Sequence, residues 1–126
     1  MYARTYAQIL GVVLLVIGVV GLVVGNQTLL GILNTDILED IVHLVTGGLL
    51  AYVGFGRVDQ ALIRTVVGVL GIIYLVVGVL GFVVPMIFGL IPHGYTIFDN
   101  LLHLALGIVG IALAWFVGGG RTARTT

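Results

Sequence analysis

The sequence predicts an all-α integral membrane protein, with four transmembrane helices arranged as two tandem helical hairpins related by a pseudo-twofold along the membrane normal. Three observations carry this. First, the 126-residue chain is 60% hydrophobic and 8% charged, with a mean hydropathy of +1.30. Soluble domains carry about 25% charged residues, so a water-facing surface cannot be built from this composition. Second, four apolar stretches each approach the ~20 residues a helix needs to cross hydrocarbon. Third, the chain is written twice. RTYAQILGVVLLVIGVVGLVV at 4–24 returns as RTVVGVLGIIYLVVGVLGFVV at 64–84, with eleven of twenty-one positions identical, and Glu39, His43, Leu44 and Gly47 then align with Asp99, His103, Leu104 and Gly107. Each unit is a pair of apolar segments, repeated in tandem. The expected layout is one membrane domain over 1–126, with repeat 1 at about 4–57, repeat 2 at about 64–118 and a polar tail at 119–126.

The spans fall at roughly 6–25, 38–56, 63–84 and 98–118. They must be helical, because lipid offers no partner to an unpaired backbone group and the period-two alternation of a barrel strand is missing. The first span is longer than a signal h-region of about 7–15 residues and lacks its small-residue cleavage site. Its internal copy at 64–84 reads the same way, so both are expected to be retained. Orientation follows from the arginines. Arg4 precedes the first span, Arg57 and Arg64 bracket the link between the second and third, and Arg121 and Arg124 follow the fourth. The other two loops carry no arginine or lysine, and the acids Asp36, Glu39, Asp40 and Asp99 gather on that side. The positive-inside rule then puts both termini in the cytoplasm. A two-span unit returns to its starting side, so the duplicate inserts the same way up. Inverted repeats, the usual substrate of alternating access, are therefore not expected.

The outer loops, NQTLLGILNT at 26–35 and PMIFGLIPHGY at 85–95, are apolar for aqueous loops. They are expected to lie at the interface as short amphipathic or re-entrant caps. Asn26-Gln27-Thr28 matches a glycosylation sequon but abuts the membrane and is taken as chance.

Glycine is abundant, with 20 residues, mostly inside spans. Gly11, Gly18 and Gly25 recur every seven residues, Gly21 and Gly25 form a GxxxG pair, and Gly71 and Gly78 repeat the spacing with Gly81 beyond. Gly47 and Gly107 follow the histidines by one turn, and Gly110, Ala114 and Gly118 recur every four residues in the last span. Small residues let helix backbones approach closely in lipid. Such stripes either hold the four helices together or face outward to bind another protein or a second copy.

The most specific feature is a pair of acidic–histidine sets. Asp36 with Glu39, and Thr96 with Asp99, match capping boxes that open the second and fourth spans, and an acid there also suits the helix dipole. His43 and His103 follow four residues after each acid, on the same face. Polar groups at that depth are costly in lipid and turn to the bundle interior. Three roles are open: a buried hydrogen bond that registers the helices, a bis-histidine haem or metal site, or a proton-handling pair. His93, in the outer loop, has no counterpart in the first unit. Tyr74, mid-span, needs a partner for its hydroxyl, and Thr46 lies one turn below His43. Trp115, Phe116 and Phe55 suggest an interfacial aromatic belt.

The sequence also excludes several chemistries. It has no cysteine, so disulfides, thiolate metal sites and cysteine nucleophiles are absent. No basic cluster suits nucleic acid, no phosphate loop or HExxH occurs, and no charged residue sits centrally in a span. No catalytic residue is therefore expected, nor any obligatory cofactor.

The repeated unit resembles a family of small prokaryotic membrane proteins catalogued as domain of unknown function 4383. The carrying residues run Glu39-Asp40-Ile41-Val42-His43-Leu44-Val45-Thr46-Gly47 and Asp99-Asn100-Leu101-Leu102-His103-Leu104-Ala105-Leu106-Gly107, and the likeness covers about Tyr6 to Gly118. The resemblance implies four spans and a prokaryotic cytoplasmic membrane, and no activity. The expected function is that of a non-enzymatic polytopic protein, either an accessory or assembly subunit of a larger membrane complex or a homo-oligomer packed through glycine stripes. The alternatives are a haem- or metal-binding electron-transfer protein using His43 and His103, and a small transporter or channel.

Overall fold

A computed structural model of the chain describes residues 2–25, 27–29, 33–84 and 95–117. It contains four long helices: α1 (Tyr2–Val24), α2 (Ile37–Phe55), α3 (Gln60–Val83) and α4 (Ile97–Ile111), the last running on as a π helix over Ala112–Phe116. All four are long and apolar enough to cross a membrane. Helices α1 and α3 start a few residues earlier than the hydropathy suggests, so Arg4 and Arg64 lie inside them. At α3 the reason is a cap, since the Asp59 side chain accepts from the Leu62 N–H at 2.8 Å.

The first outer loop carries strands that the sequence reading did not foresee. Its described residues form a two-stranded antiparallel ladder, β1 (Gln27–Leu29) with β2 (Leu33–Thr35), in register Gln27↔Thr35 and Leu29↔Leu33. Pairing the two short strands satisfies backbone groups that a loop near the membrane could not leave bare. Residues 85–94, with Pro85, Pro92 and His93, lie outside the described residues, as do Asn26, Gly118, Arg121 and Arg124.

Glycine decides how closely the helices pack. In the α1–α2 hairpin, Gly11 lies against the backbone of Ala51 and Gly47, Gly18 against Leu44, and Gly21 against the Asp40 carboxyl. In the α3–α4 hairpin, Gly71 lies against the backbone of Ile111, Gly107 and Gly110, Gly78 against Leu104, and Gly81 against the Asn100 amide. The contacts of the second hairpin thus recur sixty residues after those of the first. Gly25 is the exception among the stripe glycines. Nothing lies within 4 Å of its Cβ position, and its φ of +78° makes it the left-handed stop of α1, its N–H bonded to the Gly21 carbonyl. It ends a helix, with open space at its Cβ position.

The helix ends opposite the buried acids and histidines close with arginine. Arg4 donates to the carbonyls of Gly54, Gly56 and Val58 at 3.0, 3.1 and 3.2 Å, covering the end of α2. Sixty residues on, the Arg64 side chain donates to the carbonyl of the fully buried Ala114. Gln8 joins Arg4 on the Gly54 carbonyl at 2.9 Å. Trp115 lays its ring against Gly68, while Phe55 and Phe116 stay exposed.

The buried core runs through Ala7, Leu10, Leu14, Leu50, Val53, Ile63, Val67, Leu70 and Tyr74. The outward faces are also apolar, for example Ile9, Val16, Val45, Val76, Leu101 and Ile108, which suits contact with lipid rather than water.

Candidate functional site: a polar cluster between the hairpins

The first turns of α2 and α4 bury seven polar or charged side chains: Asp36, Glu39, Asp40, His43, Asp99, Asn100 and His103. Spacing explains who faces whom. Glu39 and His43 are one turn apart and share the face of α2 that looks toward the second hairpin. Asp40, one position on, turns instead to α1 and meets Gly21. Asn100 repeats that choice against Gly81 in α4.

The capping box expected at α4 is present. Thr96 Oγ1 accepts from the Asp99 N–H, and the Thr96 N–H donates to Asp99 Oδ2, both at 3.0 Å. The one expected at α2 is not. Asp36 is the N-cap but makes no side-chain capping bond. Its partner Glu39, the third residue of the helix, is drawn inward, hydrogen-bonded by the Tyr95 hydroxyl and with Oε1 3.9 Å from His43 Nε2. A hydroxyl at the cap complements an acid, whereas two carboxyls repel, which separates Thr96–Asp99 from Asp36–Glu39.

His103 sits between two rings. Tyr74 stacks on it with centroids 5.8 Å apart and planes at 18°, and Tyr95 meets it edge-on at 4.9 Å and 82°. Tyr74 finds the partner it needed, since its hydroxyl lies 3.1 Å from Thr46 Oγ1. The Thr46 hydroxyl also reaches the Val42 carbonyl at 2.8 Å, so its one proton goes there and Tyr74 donates to Thr46. Lower in the bundle, the Tyr6 hydroxyl donates to the Leu106 carbonyl at 2.8 Å and ties α1 to α4. Burial, then the carboxyls of Glu39 and Asp99, push the Tyr95 hydroxyl well above its ordinary range, so it stays a proton donor to Glu39.

The cluster is nearly closed to its surroundings. Glu39, His43 and His103 are 4%, 8% and 6% exposed. Two small cavities flank them. One of about 30 Å³ is lined by Glu39, His43, Asp99 and His103, by Tyr74 from α3, and by apolar neighbours from α1 and α4. The other, of about 50 Å³, lies toward Thr46, Tyr74 and Tyr95. Either has room for a water-sized occupant, and neither approaches the roughly 300–1,000 Å³ of a small-molecule site. A porphyrin therefore does not fit between His43 and His103 as the helices stand.

Sequence reasoning located Glu39, His43, Asp99 and His103, and the structure brings all four to the lining of one cavity, with Asp99 also serving the cap. It missed Tyr95, whose ring and hydroxyl close the cluster, and the inward turn of Asp40 and Asn100. Their signal was present, since both follow the aligned acids by one position. Comparison with protein-family models, with curated proteins and with solved structures gives no match.

Proposed function

We propose that this chain is a non-enzymatic protein of a prokaryotic cytoplasmic membrane that works by association, as an accessory or assembly subunit of a larger membrane complex or as a homo-oligomer. The single observation behind this reading is the pairing of a filled interior with apolar outward helix faces. The two cavities beside the polar cluster are water-sized, which favours neither a transported solute nor an organic substrate there. What the helices offer their surroundings is apolar surface.

The reading carries both termini on the cytoplasmic side, from the arginine distribution, and a pseudo-twofold between the hairpins. The latter is supported by the sixty-residue recurrence of the Gly11–Gly47, Gly18–Leu44 and Arg4–Gly54 contacts. The resemblance to domain of unknown function 4383 agrees with four spans in a prokaryotic membrane.

The association face is not the main glycine stripe, whose buried members are occupied inside their own hairpins. Gly48 is different. It lies on the α2 face that also carries the exposed Ile41, Val45, Tyr52 and Phe55, and nothing lies within 4 Å of its Cβ position. This is a notch in an apolar ridge, the shape a second helix fills.

Mild detergent extraction from the native membrane followed by native mass measurement tests the reading. A species heavier than the 13.3 kDa chain is expected, and Gly48→Leu, which fills open space, is expected to shift it toward the lone chain without unfolding it. A wild-type protein that is only ever a lone chain overturns the proposal.

A further inference from the structure

Glu39, His43 and His103 each offer one ligand atom, and these atoms all lie within 4.8 Å of one another. From this and their burial we propose that the cluster is a binding site for a first-row divalent transition-metal ion of the zinc type, held by Glu39 and His43 from α2 and His103 from α4. The proposal is independent of the association reading above.

Three lines support it. The first is unsatisfied polarity. Glu39 Oε2, His43 Nδ1 and His103 Nδ1 are buried without a hydrogen-bond partner. Buried polar atoms are almost always paired, and in a membrane the penalty for leaving them bare is not relieved by bulk water. Asp40 Oδ1 and Asn100 Oδ1 are orphaned too, but they face α1 and α3; with the imidazole protons on Nε2, the three clustered atoms all offer lone pairs, which a cation accepts.

The second is donor chemistry. Two imidazoles and one carboxylate form the ligand set of many three-ligand sites for zinc and its neighbours. Magnesium and calcium take oxygen ligands, and softer ions prefer the thiolates this chain lacks. Tetrahedral ligands about 2.0–2.2 Å from zinc lie roughly 3.3–3.5 Å apart. The trio is open by little more than an ångström, within reach of side-chain rotation.

The third is space and surroundings. The cavity of about 30 Å³ touches all three side chains and Asp99, and it has room for an ion with one water as fourth ligand. Asp99 adds a further carboxyl on that cavity wall, and a divalent ion supplies positive charge where Glu39 and Asp99 converge. Tyr95 and Tyr74 brace the ligands, the first by its bond to Glu39 and its T-shaped contact with His103, the second by stacking on His103. Such outer groups orient metal ligands. An ion here also ties the first hairpin to the second, because its ligands come from both.

The test uses the full chain purified in mild detergent and stripped with a chelator. Zinc, and cobalt(II) as its visible reporter, are expected to bind at about one equivalent per chain. His43→Ala and His103→Ala each weaken binding by roughly 100-fold or more, and Glu39→Gln by roughly 10–100-fold, while His93→Ala, in the outer loop, binds as the parent does. No stoichiometric binding by the parent chain overturns the proposal, as does binding that survives loss of both His43 and His103 but disappears with His93. Should the variants fail to fold, X-ray absorption of the zinc-loaded parent still decides: two imidazole ligands support the site, and one or none overturns it.

Discussion

Replacing Gly107 with alanine places a methyl group at the closest backbone approach in the second hairpin. Its Cβ would stand 2.6 Å from the Leu75 nitrogen, 2.7 Å from the Gly71 carbonyl oxygen and 2.8 Å from the Leu75 Cα. Ordinary contact begins near 3.4 Å, so 3.4 − 2.6 gives a deficit of 0.8 Å. All three neighbours are backbone, and no side chain can swing aside. Helices α3 and α4 must separate along much of their length, and overpacking of this kind costs about 1–3 kcal/mol. Gly48→Ala is the control, because nothing lies within 4 Å of its Cβ position. Both variants share the gain of up to ~1 kcal/mol that alanine brings to a helix interior. The gap between them is therefore the overpacking alone, about 1–3 kcal/mol. Reversible unfolding in mixed detergent micelles, read by helical circular dichroism, measures it. Equal stability of the two variants would refute the claim that glycine sets the helix spacing. Gly47→Ala should fall between them, since its nearest neighbours stand at 2.9 Å and include the Leu14 side chain.

Other outcomes follow from single contacts. Arg4→Ala should destabilise the chain by about 1.5–3 kcal/mol, because three carbonyls at the end of α2 lose a charged donor, with Arg4→Lys recovering part of the loss in the same unfolding assay. Thr96→Ala removes one side of a capping box and should cost about 0.5–2 kcal/mol, seen as faster hydrogen exchange in the first turn of α4. Asp40→Asn should leave stability unchanged or raise it, since Asn100 already fills the equivalent place against Gly81 and a buried carboxyl carries the larger desolvation cost; a marked loss would show that the charge is used. Metal binding at Glu39, His43 and His103 should weaken as pH falls, because protons compete for the ligand atoms, measured by zinc titration at a series of pH values. Single cysteines placed at either end of this cysteine-free chain should be labelled from the same face of the membrane.

Much of the architecture was legible in the order of residues. Length and hydropathy mark four spans to within a few positions, because the bilayer sets a length and forbids open backbone. The repeat spacing of sixty already paired Gly11 with Gly71 and Gly47 with Gly107. The cap at Thr96–Asp99 could be read from three residues, since capping is local. The matching expectation at Asp36–Glu39 failed for a reason that is not local: Glu39 is claimed by Tyr95, a residue more than fifty positions away. Gly25 fitted the stripe by spacing, yet it lies past the last turn of α1, where the chain reverses and no partner helix remains.

What the sequence determined by itself is the membrane-spanning length of the helices, their count and the identities of the inward-facing acids and histidines, all consequences of periodicity and of the cost of polar groups in hydrocarbon. Tertiary structure alone decided which of those polar groups meet. Helix periodicity places a residue on a face but does not say which helix that face will touch. Two ligand atoms from α2 and one from α4 come within 4.8 Å only because the two glycine-packed hairpins are set side by side with Tyr74 and Tyr95 between them.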